Sequence, residues 1–203
     1  IGGYMITRKE MTRILLKEGL LSCLANNSFE TVTVTSLCKA SGITRSTFYL
    51  HYSNIMEIVD DLVDDAIAYS KPGMVDNNNL QTIANTLSAA SNSVSLRGAY
   101  DSIFDRLPLC QRIIRHKKYL PLFLDEQISE YVLQRIIGRE KDRQGLVIAE
   151  SLGVLFDVGV SVFVFLVHGL YAINKEYKWT QSDEWLEAQK VIFELVYRGL
   201  QSK

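Results

Sequence analysis

The sequence predicts an all-α protein, and three observations carry that prediction. Proline occurs only at positions 72, 108 and 121, apolar residues recur at helical period, and no Asn-Gly or Asp-Gly hairpin turn appears. The chain has 203 residues, of which 47% are hydrophobic and 22% charged. That is enough for one domain or two small ones with a buried core, and far from the composition of a disordered or collagen-like chain. Cys23, Cys38 and Cys110 are widely spaced and form no CxxC pair. They argue against a disulfide framework or a thiolate zinc site and suit a reduced compartment.

The elements follow in order. Thr7–Asn26 has apolar residues at 11, 14, 15, 20, 21 and 24, near helical period, and Asn26-Asn27-Ser28 ends it. Thr33 suits the N-cap of a short helix to Ala40, and Ser41-Gly42 breaks that helix, with Gly42 fit for a left-handed C-cap. Thr44 then caps a second short helix, Arg45–His51. Asn54 caps a longer one whose apolar face runs from Ile55 through Ile58, Val59, Leu62, Val63 and Ala66 to Ile67. Its acids, Glu57, Asp60, Asp61, Asp64 and Asp65, read as a solvated face. Lys71-Pro72-Gly73 and a polar stretch after it mark the best domain boundary. Further helices are expected at about 80–92, 95–105, 108–117, 122–138, 145–174 and 182–200. The helix over 145–174 would be about 45 Å long and buried nearly all round. Glu150, Asp157, Ser161 and His168 fall along one line of it, which would face water, a partner helix or a wet cavity.

The formal net charge is −1, but it is unevenly placed. Residues 1–53 hold six bases against three acids, residues 54–70 hold five acids and no base, and residues 71–203 hold 16 bases against 15 acids. The opening quarter is therefore basic and an acidic helix follows. Ile1–Ile6 is too short and too glycine-rich for a secretory signal, and Ile1 is no start residue, so further residues are expected before it. The longest uncharged apolar run, Val158–Val167, is too short for a bilayer, so a soluble, cytoplasmic chain without membrane attachment is expected.

A short helix, a glycine break and a second short helix form a helix-turn-helix pattern, whose second helix enters the DNA major groove in such units. Thr44, Arg45, Ser46, Thr47, Tyr49 and His51 offer donors and acceptors, while Ile43 and Phe48 offer inner contacts. Residues 29–58, FETVTVTSLCKASGITRSTFYLHYSNIMEI, resemble the N-terminal DNA-binding domain of the TetR family of bacterial transcription regulators. The matching positions are Phe29, Thr33, Val34, Ala40, Gly42, Ile43, Thr44, Thr47, Phe48, Tyr49, His51 and Tyr52. With its preceding helix the resemblance covers about residues 7–70. Two departures stand out: Ser28 where many members have Gly, and Ile55 where many have a lysine that meets a phosphate.

The resemblance implies three parts: a DNA-binding domain over 1–53, a connecting helix over 54–70, and a helical effector-binding and dimerisation domain over 71–203. It implies that Thr33 and Thr35 touch backbone phosphate and that Thr44, Arg45, Ser46 and Thr47 open the recognition helix. Arg45 would read guanine or clamp a phosphate, and Tyr49, His51 and Tyr52 would contact phosphate or pack. It implies a homodimer whose last two helices form a four-helix bundle with their mates, the last presenting Trp185, Ala188, Ile192, Leu195, Val196 and Gly199. It also implies an effector pocket, for which Tyr100, Phe104, Phe123, Phe156, Asp157, Phe163, His168 and Tyr171 are the candidate lining.

The function expected is a DNA-binding regulator, a ligand-responsive repressor reading a palindromic operator as a homodimer. The alternative is a helical dimeric co-regulator that binds a protein partner in place of a small molecule, with weak DNA binding of its own. No GxSxG, P-loop or HExxH motif supports an enzyme. No cofactor and no metal are expected, since Asp157 and His168 stand about 16 Å apart along a helix.

Overall fold

The computed structural model describes residues 7–70, 77–108, 111–112 and 117–201. The described residues are all-α, with ten α-helices and no strand: α1 Arg8–Asn26, α2 Val34–Ser41, α3 Arg45–Tyr49, α4 Ile55–Ser70, α5 Asn77–Ser88, α6 Ser93–Ser102, α7 Pro121–Leu124, α8 Ser129–Leu152, α9 Phe156–Glu176 and α10 Asp183–Gln201. Single 3₁₀ turns lie at Phe29–Thr31 and Phe104–Arg106. The boundary signal at Lys71-Pro72-Gly73, Cys110 and much of the expected helix 108–117 lie outside the described residues.

The chain divides into two compact units, residues 1–68 with 117–136, and residues 69–116 with 137–203. Sequence order alone suggested a break near residue 70. It did not suggest that residues 117–136 return to the first unit.

In the first unit, α1 starts with a reciprocal capping box between Thr7 and Glu10. The core is apolar and dense: Leu16, Leu20, Leu37, Phe48, Ile58 and Leu62 are fully buried. Gly19 of α1 lies against Ser41 of α2 so closely that a Cβ there would meet the Ser41 side chain, with the Ser41 Cα at 3.3 Å. This contact brings the first helix down onto the helix-turn-helix. Residues 117–136 are tied in through Asp125, which is 8% exposed and whose carboxylate accepts from the Phe29 amide at 2.6 Å. The same carboxylate accepts from Gln127 and Ile128 and so separates α7 from α8, where the sequence suggested one helix over 122–138.

In the second unit, α10 packs with α5 and α6. Trp185 is fully buried, donates its indole N–H to Asn174 Oδ1 at 3.0 Å, and meets Tyr100 edge-on at 5.1 Å. The expected helix over 145–174 is instead two. Gly153 sits in the left-handed region at φ 61°, and α8 ends one residue earlier. The charged stretch at 139–143 lies inside α8, where Glu140 and Arg143 pair one turn apart. The two helices cross closely at small residues. A Cβ on Gly145 would lie 3.0 Å from the Val160 backbone, and one on Gly159 would lie 2.8 Å from Ala149.

The break removes Glu150 from the polar line expected on the long helix; Asp157 and Ser161 are exposed and His168 is half-buried. Nor is α9 buried all round. By length and composition it is able to cross a membrane, a capacity the ten-residue apolar run did not reveal, and only 22% of its apolar window is buried. Its place in the second unit is nevertheless fixed by the Gly159 crossing and the buried Asn174–Trp185 bond.

Candidate nucleic-acid interface

The helix-turn-helix is assembled by local chemistry. The Thr33 hydroxyl accepts from the Ser36 amide at 3.1 Å and the Ser36 hydroxyl accepts from the Thr33 amide at 2.9 Å, closing the start of α2. Gly42, at φ 65°, ends α2, and its positive φ is the reason a glycine stands there. The Ile43 amide then donates to the Cys38 carbonyl at 3.0 Å. Thr44 caps α3 by accepting from the Thr47 amide at 3.2 Å. Phe48 drops into the core, with the Tyr49 ring edge-on at 5.1 Å and the Tyr52 ring at 6.3 Å.

The outward side of this unit carries most of the expected contact residues. Thr33, Thr35, Thr44, Arg45 and Ser46 are exposed, Thr47 is half-buried, and Tyr49 is 54% exposed. The hydroxyls of Thr44, Ser46 and Thr47 form one cluster, with Thr44 3.0 Å from Ser46 and 2.8 Å from Thr47. Beside them Arg45 holds a guanidinium in solvent. This set can donate and accept at a base edge or a phosphate. Leu50, 81% exposed next to Tyr49, adds an apolar group able to meet a thymine methyl. His51 is half-buried, with a buried Nδ1 that has no hydrogen-bond partner among the described residues.

Tyr52 is a correction. It is 4% exposed, and its hydroxyl donates to Asp61 at 2.5 Å while accepting from Arg13 Nε at 3.3 Å. Burial, then the bond to Asp61, pushes its pKa above the ordinary tyrosine value. Tyr52 therefore packs the unit and has no hydroxyl to spare for a phosphate.

The acids of α4 are also not a purely solvated face. Asp61 accepts from Arg13 Nε at 3.1 Å, Asp65 takes Lys17 at 2.5 Å, and Asp60 takes the Tyr131 hydroxyl and Arg135 Nε, each at 2.7 Å. These pairings occupy two of the six bases counted in the opening quarter. Arg8, Lys9, Lys39 and Arg45 remain exposed. The start of α4 is closed by Asn54 and Glu57: the Glu57 carboxylate accepts from the Ser53 amide at 2.8 Å, and the Glu57 amide donates to Asn54 at 3.2 Å. With Ile55 in place of a base, that helix start presents a carboxylate where a phosphate would need donors.

In the second unit the expected pocket residues scatter. Tyr100, Phe163 and Tyr171 are buried, Phe104 and His168 are half-buried, and Phe156 and Asp157 are on the surface. Phe123 belongs to the first unit. Of the expected dimer face, Leu195 is 70% exposed, Gly199 is exposed, and Ala188, Ile192 and Val196 are half-buried. Trp185 is corrected to a core residue with no surface to offer. The sequence reading missed Leu155, Phe165 and Val191, which are 79%, 71% and 61% exposed. The burial expected of the helix over 145–174 from its hydrophobicity hid the first two.

No family model and no curated protein matches the chain. Among solved structures the chain is similar to the TetR family repressor AlkX from Dietzia sp. strain DQ12-45-1b, a protein implicated in biodegradation of n-alkanes. The identity is 14%, the likeness spans 93% of this chain and 95% of that one, and the TM-score is 0.41. A likeness at this level assigns no role to any residue.

Proposed function

We propose that this protein is a DNA-binding transcription regulator of the TetR type, acting in the cytoplasm as a homodimeric repressor that a small ligand releases from a palindromic operator. The observation that carries the reading is the exposed set of Arg45 and the Thr44–Ser46–Thr47 hydroxyl cluster, on a helix-turn-helix whose caps, glycine turn and core are all satisfied. Exposed apolar side chains on α9 and α10, Phe165 and Leu195 among them, support dimerisation, because a second copy would remove them from water. Two recognition helices about 34–36 Å apart then read two half-sites one helical turn apart.

The test is selection from a random duplex pool at low salt, followed by fluorescence anisotropy on the recovered site. A palindromic site bound by the wild type is expected, with Arg45→Ala weakening it by about 5- to 150-fold, the equivalent of ~1–3 kcal/mol. Recovery of no consensus, or an Arg45→Ala variant that binds as the wild type does, refutes direct reading of DNA.

A second reading has one observation in its favour. With Arg13 and Lys17 in ion pairs and Glu57 at the start of α4, little charge remains for phosphates. That suits a dimeric co-regulator whose DNA contact is supported by a protein partner.

A further inference from the structure

Arg112 is a buried charge whose guanidinium feels the Asp105 carboxylate but has two nitrogens without a hydrogen-bond partner among the described residues. It lies in the second unit on a helical turn opening at Pro108, whose carbonyl accepts from the amides of Gln111 and Arg112 at 3.0 and 3.2 Å. The residue is 3% exposed, and its Nε and Nη2 are buried without a hydrogen-bond partner among the described residues. Its guanidinium carbon lies 5.8 Å from the centre of the Tyr69 ring, a contact that supplies attraction but no acceptor. Burial holds its pKa below the ordinary arginine value. An arginine in this state is costly, because a buried cation needs both an opposite charge and acceptors.

The identity of the two orphan donors is informative. Nε–H and one Nη–H form the side-on edge of a guanidinium, the fork that takes the two oxygens of a planar oxyanion in parallel. The surroundings add a polar chain: the Tyr100 hydroxyl donates to Gln111 Oε1 at 3.2 Å, and Gln111 Nε2 donates to Gln189 Oε1 at 2.9 Å. Gln189 Nε2, at the end of that chain, is a third buried donor without a partner among the described residues. Tyr69 is 40% exposed, so the guanidinium lies one side chain below the surface. A carboxylate is the planar oxyanion that brings the least negative charge; a phosphate brings close to two at neutral pH, to a guanidinium that the Asp105 carboxylate already acts on.

We propose that the second unit binds a small carboxylate, whose two oxygens take the Nε and Nη2 hydrogens of Arg112. This rests on the ligand-responsive reading above and names the ligand's class. Arg112 is then the binding residue for the effector's charged end, while Tyr69 covers it.

The probes are benzoate and octanoate, each beside its neutral amide, with inorganic phosphate as a further arm at matched ionic strength. Binding is read by thermal unfolding and titration calorimetry of the full chain, for the wild type, Arg112→Met and Arg112→Gln. At least one carboxylate is expected to raise the wild-type Tm while its amide does not, and to bind either variant at least about tenfold more weakly. Without ligand, Arg112→Met is expected to be at least as stable as the wild type, since it removes a buried charge short of acceptors. A wild type that neither carboxylate shifts, a shift the variants retain, or a shift produced by phosphate overturns the proposal. So does an Arg112→Met variant that loses several degrees without ligand, which would give the guanidinium a structural role. DNA affinity, measured without ligand on the selected site, separates the two readings. Loss of the carboxylate effect with DNA binding intact removes only the ligand class, and absent DNA binding removes the regulator reading while the thermal arms stay readable.

Discussion

Asp61 is the residue on which the first unit's internal bonding converges, and replacing it by alanine has a magnitude that can be worked out in advance. Its carboxylate takes the Tyr52 hydroxyl at 2.5 Å and the Arg13 guanidinium. Tyr52 is 4% exposed, so Asp61→Ala leaves a buried hydroxyl without its acceptor, at about 1–3 kcal/mol. The Arg13 side chain is 41% exposed and turns to water, so its share is at most about 1 kcal/mol. The total is about 1–4 kcal/mol, which for a chain of this size lowers Tm by roughly 2–16 °C. Urea unfolding of wild type, Asp61→Ala, Tyr52→Phe and the double variant forms a thermodynamic cycle. The double variant removes donor and acceptor together, so a coupling energy of about 1–2 kcal/mol is expected. Asp61→Ala within about 0.5 kcal/mol of the wild type, or strictly additive effects, would refute the reasoning.

Three further outcomes follow from the same geometry. Because burial and Asp61 raise the Tyr52 pKa above 10.0, the folded state holds that proton more tightly than the unfolded chain does. Stability is then whole below about pH 10 and falls above it, a decline that Tyr52→Phe flattens in alkaline unfolding curves. Gly159→Leu forces a side chain onto Ala149, already 2.8 Å from the site of its Cβ, and is expected to cost about 1–3 kcal/mol by urea denaturation; a neutral effect would mean that α8 and α9 part easily. Paired replacements Phe165→Glu and Leu195→Glu are expected to yield a monomer in analytical ultracentrifugation, and a dimer that survives both would place the interface elsewhere.

What could be read from the sequence was what is decided within a few residues. The caps at Thr33 and Thr44 and the left-handed Gly42 need only near neighbours, and they appear as expected. The end of α8 was missed because Gly153 has the composition of a tolerated helix glycine; its φ of 61° depends on how the chain turns into α9. The acids of α4 were misread because their partners lie far away in sequence: Arg13 and Lys17 precede Asp61 and Asp65 by 48 residues, and Tyr131 follows Asp60 by 71. Tyr52 stayed open between phosphate contact and packing for the same reason, since only Asp61 and Arg13 show which way its hydroxyl points. Arg112 carries no sequence signal at all. An arginine beside Gln111 reads as an ordinary surface pair until its burial is known.

The two ion pairs between α1 and α4 have a mechanical consequence. Arg13 and Lys17 stand one turn apart on one helix, Asp61 and Asp65 one turn apart on the other, and they pair in the same order. Such rungs act as teeth. If α4 slides along α1 by a full turn, about 5.4 Å, one base meets the neighbouring acid and one rung survives. A shorter slide disengages both rungs and pulls Tyr52 from Asp61 as well. The paired rungs therefore set one register of α4 against α1 as favoured over its neighbours.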